Sequence, residues 1–150
     1  MNLEKMYQEI ILDHYKNPQH KSLAPLVSGA VEVHHINPTC GDEVTLRATV
    51  SDGLVTSVSW DGLGCSISQA STSVMAGLTQ GATVEHALSL TAQFLLLMQG
   101  KGVSTEADEV LEDGIAFAGV AQYPARVKCA LLGWMALKDA ITRQPGEINE

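Results

Sequence analysis

Glu43-Val44-Thr45-Leu46-Arg47-Ala48-Thr49-Val50-Ser51-Asp52-Gly53-Leu54-Val55-Thr56-Ser57-Val58-Ser59-Trp60 is the stretch on which the fold turns. Val44, Leu46, Ala48 and Val50 alternate with polar residues, the period of a strand with one buried face. Ser51-Asp52-Gly53 is a hairpin turn signal. Leu54 to Trp60 returns as a second strand through Val55 and Val58, with imperfect alternation. Upstream, Ala30 to Ile36 is rich in β-branched residues, so three antiparallel strands in a meander are expected.

Helical periods flank this block. Leu3, Met6, Tyr7, Ile10, Ile11 and His14 recur every three or four residues, and this helix should fail near Asn17-Pro18, where proline pushes its predecessor out of the helical region. The chain to Gly29 reads as loop. After the strands, Ser66 to Gly81 is rich in small residues, with Ala70, Val74, Ala76, Gly77 and Leu78 on a helical face. Thr83 to Met98 restarts with Thr83 as N-cap. Val103 to Gly114 is acidic and polar, a loop with a short helical turn, and Ile115 to Val120 is a short helix or turn. A last helix begins near Ala125 and runs through Leu131, Met135 and Ile141, before a polar tail. The order defines an α+β fold: a three-stranded antiparallel sheet covered on one face by helices, with an N-terminal helix. At 150 residues the chain is expected to be a single domain, 1–150.

Nine basic residues against 17 acidic give a formal net charge of −8, which argues against a nucleic-acid partner, whose phosphates require Lys and Arg. No apolar run approaches a membrane span, since Phe94-Leu95-Leu96-Leu97-Met98 stops at Gln99-Gly100. Met1 to Met6 lacks the basic-then-apolar order of a signal peptide. A cytoplasmic location is expected, and in a reducing compartment free thiols serve metal binding or catalysis.

The three cysteines, Cys40, Cys65 and Cys129, are an odd number and cannot all pair internally. Three thiolates with one carboxylate, Asp42, form a donor set suited to tetrahedral Zn²⁺, and thiolates equally serve sulfur chemistry and iron–sulfur clusters. Each residue alone has a plainer reading: Cys129 as a small buried hydrophobe, Asp42 as a turn residue, Gly62-Leu63-Gly64-Cys65 as a Gly-rich turn. The spacing is not that of a two-plus-two zinc knuckle, so spacing alone leaves the metal reading open. His14 and His86 fit helix faces, and His34-His35 alternate across a strand. Arg126 and Lys128 either lower the Cys129 thiol pKa or form an exposed helix face.

Asp13-His14-Tyr15-Lys16-Asn17-Pro18, Asn37-Pro38-Thr39-Cys40-Gly41-Asp42, Gly64-Cys65-Ser66-Ile67-Ser68, Met98-Gln99-Gly100-Lys101 and Tyr123-Pro124-Ala125-Arg126-Val127-Lys128-Cys129 resemble, in order, the U-type iron–sulfur assembly proteins. Scaffold members of that family carry a Leu-Pro-Pro-Val-Lys chaperone motif and a histidine before the third cysteine. Here Pro-Ala-Arg-Val stands at the first position and Lys128 at the second, and the stretch from Cys65 to Cys129 is longer, as in the SufU branch.

That resemblance implies Zn²⁺ on Cys40, Asp42, Cys65 and Cys129, and a zinc-dependent sulfurtransferase that accepts persulfide sulfur from a SufS-type cysteine desulfurase and feeds the downstream SUF machinery. In the family, a desulfurase histidine takes the metal position and frees the first cysteine, here Cys40, to attack the outer persulfide sulfur. Asp42, a harder ligand, would keep the shell labile, and Arg126 would hold the Asp42 carboxylate or the freed thiolate. Two alternatives stand beside this expectation: a scaffold carrying a [2Fe–2S] cluster or iron on the same ligands, and a non-catalytic zinc-stabilised activator of the desulfurase.

Overall fold

The computed structural model describes residues 3–100 and 106–143. Helix α1, Leu3–Lys16, ends before Pro18 as expected, with the Asn17 N–H closing the last turn on the Asp13 carbonyl at 2.8 Å. Strands β1 (Ala30–Asn37), β2 (Asp42–Ser51) and β3 (Leu54–Leu63) form an antiparallel meander in the order β1-β2-β3. Asp52 (φ 52°) and Gly53 (φ 76°) are both left-handed, the backbone of a tight turn whose twist matches the strands it joins.

Asp42, Val44, Leu46 and Ala48 are buried in alternation along β2. The register shifts between Thr49 and Val50, so the expected inward run ends there and Val50 is only partly buried against the core. The inward face continues through Val33 and Asn37 of β1 and Val58 and Trp60 of β3. Backbone from the loop after α1 runs along β3: Trp60 N–H donates to His20 O at 3.2 Å, and Trp60 Nε1–H donates to Gln19 O at 2.8 Å. The other end of β3 pairs with the segment ahead of the third helix, Val55 N–H to Ala82 O at 2.8 Å. Covering β3 this way occupies edge groups that would otherwise recruit another strand.

Helices α2 (Ser66–Thr79), α3 (Val84–Gln99) and α4 (Pro124–Thr142) follow, with a segment of 3₁₀-type turns, Glu106–Gln122, between the last two. Thr83 caps α3, its side chain accepting from the His86 N–H at 3.0 Å. Glu106–Gln122 departs from the expected loop and short helix. It winds almost continuously, broken at Glu112 (φ 49°, ψ −119°), and Asp108 turns inward to accept from Gln93 Nε2 at 2.7 Å. Residues 103–105 of the expected acidic loop lie outside the described residues.

Helix α2 departs from the one-faced helix expected. It is buried on nearly every side from Ile67 to Ala76, while Gly77 is exposed. Its hydroxyls make that burial tolerable by bonding carbonyls: Thr72 Oγ1 to Ser68 O and Thr79 Oγ1 to Met75 O, both at 2.8 Å. Ser71 Oγ–H reaches across to Ala130 O of α4 at 2.6 Å. A side chain at Gly133 would collide with Thr72, so glycine lets α4 approach α2 closely. Beyond that contact, Trp134 stacks on Phe94 at 4.8 Å, and Phe117 meets Phe94 edge-on at 5.9 Å. His14 pins α1 to this body through Ser73 Oγ and Asp113 Oδ2, each at 2.8 Å. These contacts fix α4 against α2, and with it Cys129 against the start of α2.

Candidate metal and thiol site

The site forms where four chain segments end. The last rung of the β1–β2 ladder pairs Asn37 with Asp42, and the turn between them carries Cys40. That turn closes with the Gly41 N–H on Asn37 O at 2.8 Å, and Gly41 takes φ 75°, a conformation open to glycine at little cost. Strand β3 then delivers Gly64 and Cys65, the residue that caps the N-terminus of α2. Cys129 comes from the second turn of α4, whose first turn begins with Pro124, a residue suited to a position with no N–H partner.

Cys40 Sγ and Cys129 Sγ lie 3.3 Å apart. Donor atoms of Cys40, Asp42 and Cys129 all fall within 4.8 Å of one another, a group able to hold a metal ion. Cys65 is not in that mutual cluster, but its Sγ lies 3.6 Å from Asp42 Oδ2. Asp42 thus bridges: one carboxylate oxygen accepts the Cys65 N–H at 3.1 Å and the other meets the Cys65 thiol. Cys40 and Cys65 are exposed, whereas Cys129 is buried and Asp42 is only 3% exposed.

Gly64 is required beside this carboxylate. A β-carbon there would sit 2.7 Å from Asp42 Oδ1 and 2.5 Å from Ser68 Oγ. Asn37, also buried, donates from Nδ2 to Cys40 Sγ at 3.1 Å and reaches Cys129 Sγ at 4.0 Å. Asn37 stands inside the quoted Asn-Pro-Thr-Cys-Gly-Asp block, yet spacing gave no reason to assign it to the site. The available signal is parity: it shares the inward face with Val33 and is a polar residue at the strand's buried end.

The electrostatics fit a cation. Burial works against an ionised Asp42, but hydrogen bonds from the Cys129 and Cys40 thiols and from the Cys65 N–H and thiol outweigh it and hold the carboxyl low. Burial pushes the Cys129 thiol up, and its hydrogen bonds to Asp42 and Cys40 and the charges of Cys65 and Asp42 push it further. Among the described residues no Lys, Arg or His forms an ion pair with Asp42. A buried carboxylate held ionised beside a Cys129 thiol that resists ionisation is a donor set that positive charge would complete. Sulfurs bound tetrahedrally at about 2.3 Å stand about 3.8 Å apart, so the Cys40 and Cys129 sulfurs, 3.3 Å apart, would spread by about half an ångström to take such an ion, which the exposed Cys40 turn allows.

The other residues singled out by sequence fall elsewhere. Arg126 and Lys128 are exposed on the first turns of α4, and the Arg126 side chain has no hydrogen bond to Asp42 or Cys40 among the described residues. His14 is structural. His35 bonds Asp139 at 2.8 Å and His34 bonds Thr45 at 2.9 Å, both away from the cysteines, and His86 is exposed.

Two thiols and a carboxylate gathered at the end of a three-stranded meander, with a third thiol against the carboxylate, make a group able to hold a metal ion. Comparison with known proteins gives the family. Residues 6–130 match the family model of the NifU-like N terminal domain. The zinc-dependent sulfurtransferase SufU of Bacillus subtilis is 39% identical over 97% of this chain and 95% of its own length. The iron–sulfur cluster assembly scaffold protein IscU of Streptococcus pyogenes serotype M1 is 36% identical over 94% of this chain and 86% of its own. A solved structure of a putative iron–sulfur cluster assembly scaffold protein for the SUF system from Fervidobacterium islandicum superposes with TM-score 0.80, at 33% identity, over 94% of this chain and all of that one. The chain belongs to the NifU-like N-terminal domain family, the family of the SufU and IscU iron–sulfur cluster assembly proteins. No helix among the described residues is long and apolar enough to cross a membrane.

Proposed function

We propose that this chain is a zinc-dependent sulfurtransferase of iron–sulfur cluster assembly, taking sulfur from the cysteine persulfide of a SufS-type desulfurase and passing it to downstream SUF components in the cytoplasm. The observation that carries the reading is the exposed Cys40 sulfur, 3.3 Å from the buried Cys129 sulfur and within the same cluster as Asp42. Cys40, Asp42, Cys65 and Cys129 would hold the zinc ion. Bound there, zinc supplies the positive charge that keeps these thiols ionised at neutral pH.

Cys40 is the sulfur acceptor because its surroundings set it apart. It sits on a four-residue turn and is open to solvent, whereas Cys129 is buried in α4 and Cys65 is tied by its N–H to Asp42. Its thiolate attacks the outer sulfur of the partner's persulfide, and the partner's cysteine leaves as thiolate. Arg126, exposed three positions before Cys129, would steady the charge on the acceptor sulfur or on Asp42.

Metal analysis of protein purified without added metal tests this reading. About one zinc per chain and no visible charge-transfer band are expected, since Zn²⁺ is d¹⁰. Iron, acid-labile sulfide and strong colour would instead support a cluster scaffold, the role printed for the Streptococcus relative.

A further inference from the structure

We propose that Asn37 is a positioning residue: it latches the Cys40 sulfur in the resting site through an N–H···S hydrogen bond that must open for sulfur transfer. The inference rests on the reading of Cys40 as acceptor.

Every polar atom of the Asn37 side chain is committed. Oδ1 accepts the Thr39 N–H at 3.2 Å, while Nδ2 donates to Cys40 Sγ at 3.1 Å and reaches toward Cys129 Sγ at 4.0 Å. The Thr39 N–H can be met only by an acceptor, so the amide oxygen must face it and the NH₂ group must face the sulfurs. The residue itself cannot drift. It is 7% exposed, paired with Asp42 in the β ladder, and its carbonyl holds Gly41 N–H at 2.8 Å. A fixed donor therefore addresses a cysteine on a turn.

The position of this donor matters because of the 3.3 Å approach of the two sulfurs. As thiolates they repel, and an amide N–H placed beside both offsets part of that repulsion. A hydrogen bond to an ionised acceptor is roughly twice as strong as a neutral one. The other site cysteines are held differently: Cys65 has Asp42 and Ser68, and Cys129, which Asn37 reaches only at 4.0 Å, donates to Ala125 O at 3.7 Å. Among the described residues, Asn37 is the side-chain N–H donor to Cys40.

The chemistry of transfer gives the latch a direction. A bond forms between Cys40 Sγ and the outer sulfur of the partner's persulfide. The partner's S–S bond breaks, and its cysteine leaves as thiolate with the electron pair. Sγ gives up its negative charge in that step, so its bond to Asn37 weakens as the new S–S bond forms. The loaded cysteine is thereby released toward the next acceptor.

The test compares Asn37→Asp and Asn37→Leu in the full, zinc-loaded chain, alkylated with iodoacetamide and mapped peptide by peptide. Leucine removes the donor and the acceptor without adding charge, whereas aspartate keeps an acceptor for the Thr39 N–H and sets a carboxylate where the donor stood. Cys40 should alkylate about tenfold faster in both variants, with Cys65 and Cys129 unchanged, as expected for a lost bond to a charged acceptor. A wild-type rate at Cys40 in the uncharged Asn37→Leu variant would overturn the latch and leave Asn37 only a turn-shaping role. Equal acceleration at all three cysteines would overturn it in favour of a loosened fold. A second measurement needs no variant: in wild-type protein, one Asn37 side-chain amide proton should shift upfield and exchange faster once Cys40 is alkylated. An unmoved resonance would also overturn the proposal. Neither readout involves a desulfurase, so failure of the acceptor reading, persulfide on another cysteine, would be seen separately.

Discussion

Replacing Gly64 with alanine tests whether Asp42 is held as rigidly as the site requires. The new β-carbon would lie 2.5 Å from Ser68 Oγ, 2.7 Å from Asp42 Oδ1 and 2.8 Å from Asp42 Cγ. The Ser68 hydroxyl can rotate away only by giving up its 3.1 Å bond to Cys65 O. Asp42 cannot do so freely, because it is 3% exposed and its Oδ1 holds the Cys65 N–H at 3.1 Å. Gly64 is not among the positive-φ glycines, so the cost is contact and not backbone strain. Overpacking of this kind costs about 1–3 kcal/mol. For a chain of this size, each kcal/mol lowers Tm by about 2–4 °C, so a fall of about 2–12 °C is expected. Thermal melts of metal-free protein would measure it, alongside metal content of the variant as purified, which should also fall. Because the carboxylate is the obstacle with least freedom, the same substitution made in Asp42→Ala should cost about 1 kcal/mol less, a coupling that a double-mutant cycle reads directly. An equal cost in both backgrounds, or none in either, would refute the reasoning.

Two further outcomes concern the frame around the site. His14→Ala removes partners of Ser73 and Asp113 and should cost about 1–3 kcal/mol in urea unfolding, by undocking α1; a change under about 0.5 kcal/mol would show that the pin is idle. Burial opposes ionisation of Asp139, but hydrogen bonds from His35 and Arg143 outweigh it and hold its pKa below 3.8. Its contribution is therefore present above pH 3.8 and lost as pH falls through the lower folded value. Asp139→Asn should lower Tm at pH 7, with the deficit shrinking as pH drops below that point, and a deficit constant across this range would contradict the assignment.

The sheet could be read from sequence because its rules are local. Alternation at Val44, Leu46 and Ala48 and a turn needing left-handed residues at Asp52 and Gly53 leave few other folds. The C-terminal end of α1 and the Thr83 cap of α3 follow the same logic, each set by a proline or a hydroxyl within a few residues. What escaped depends on distant partners. Glu106–Gln122 reads as polar loop until Asp108 is given Gln93, and α2 reads as one-faced until its hydroxyls find carbonyls to bond. At the site, residue type and motif resemblance pointed to Cys40, Asp42, Cys65 and Cys129; the topology brings Cys40, Asp42 and Cys129 into one cluster and sets Cys65 against Asp42. The carboxylate bridge to Cys65 and the Asn37 amide beside the sulfurs depend on tertiary placement, which no period in the sequence encodes. Arg126, chosen for its charge and nearness in sequence, has its side chain at the exposed start of α4.

Mapping of the transferred sulfur tests the central claim most directly. Wild-type protein would be incubated with a SufS-type desulfurase and cysteine, then digested without reductant and analysed by mass spectrometry. An added mass of about 32 Da, one sulfur atom, is expected on the Cys40 peptide, through thiolate attack on the persulfide. Reproducible addition to Cys65 or Cys129 with Cys40 unmodified would contradict it.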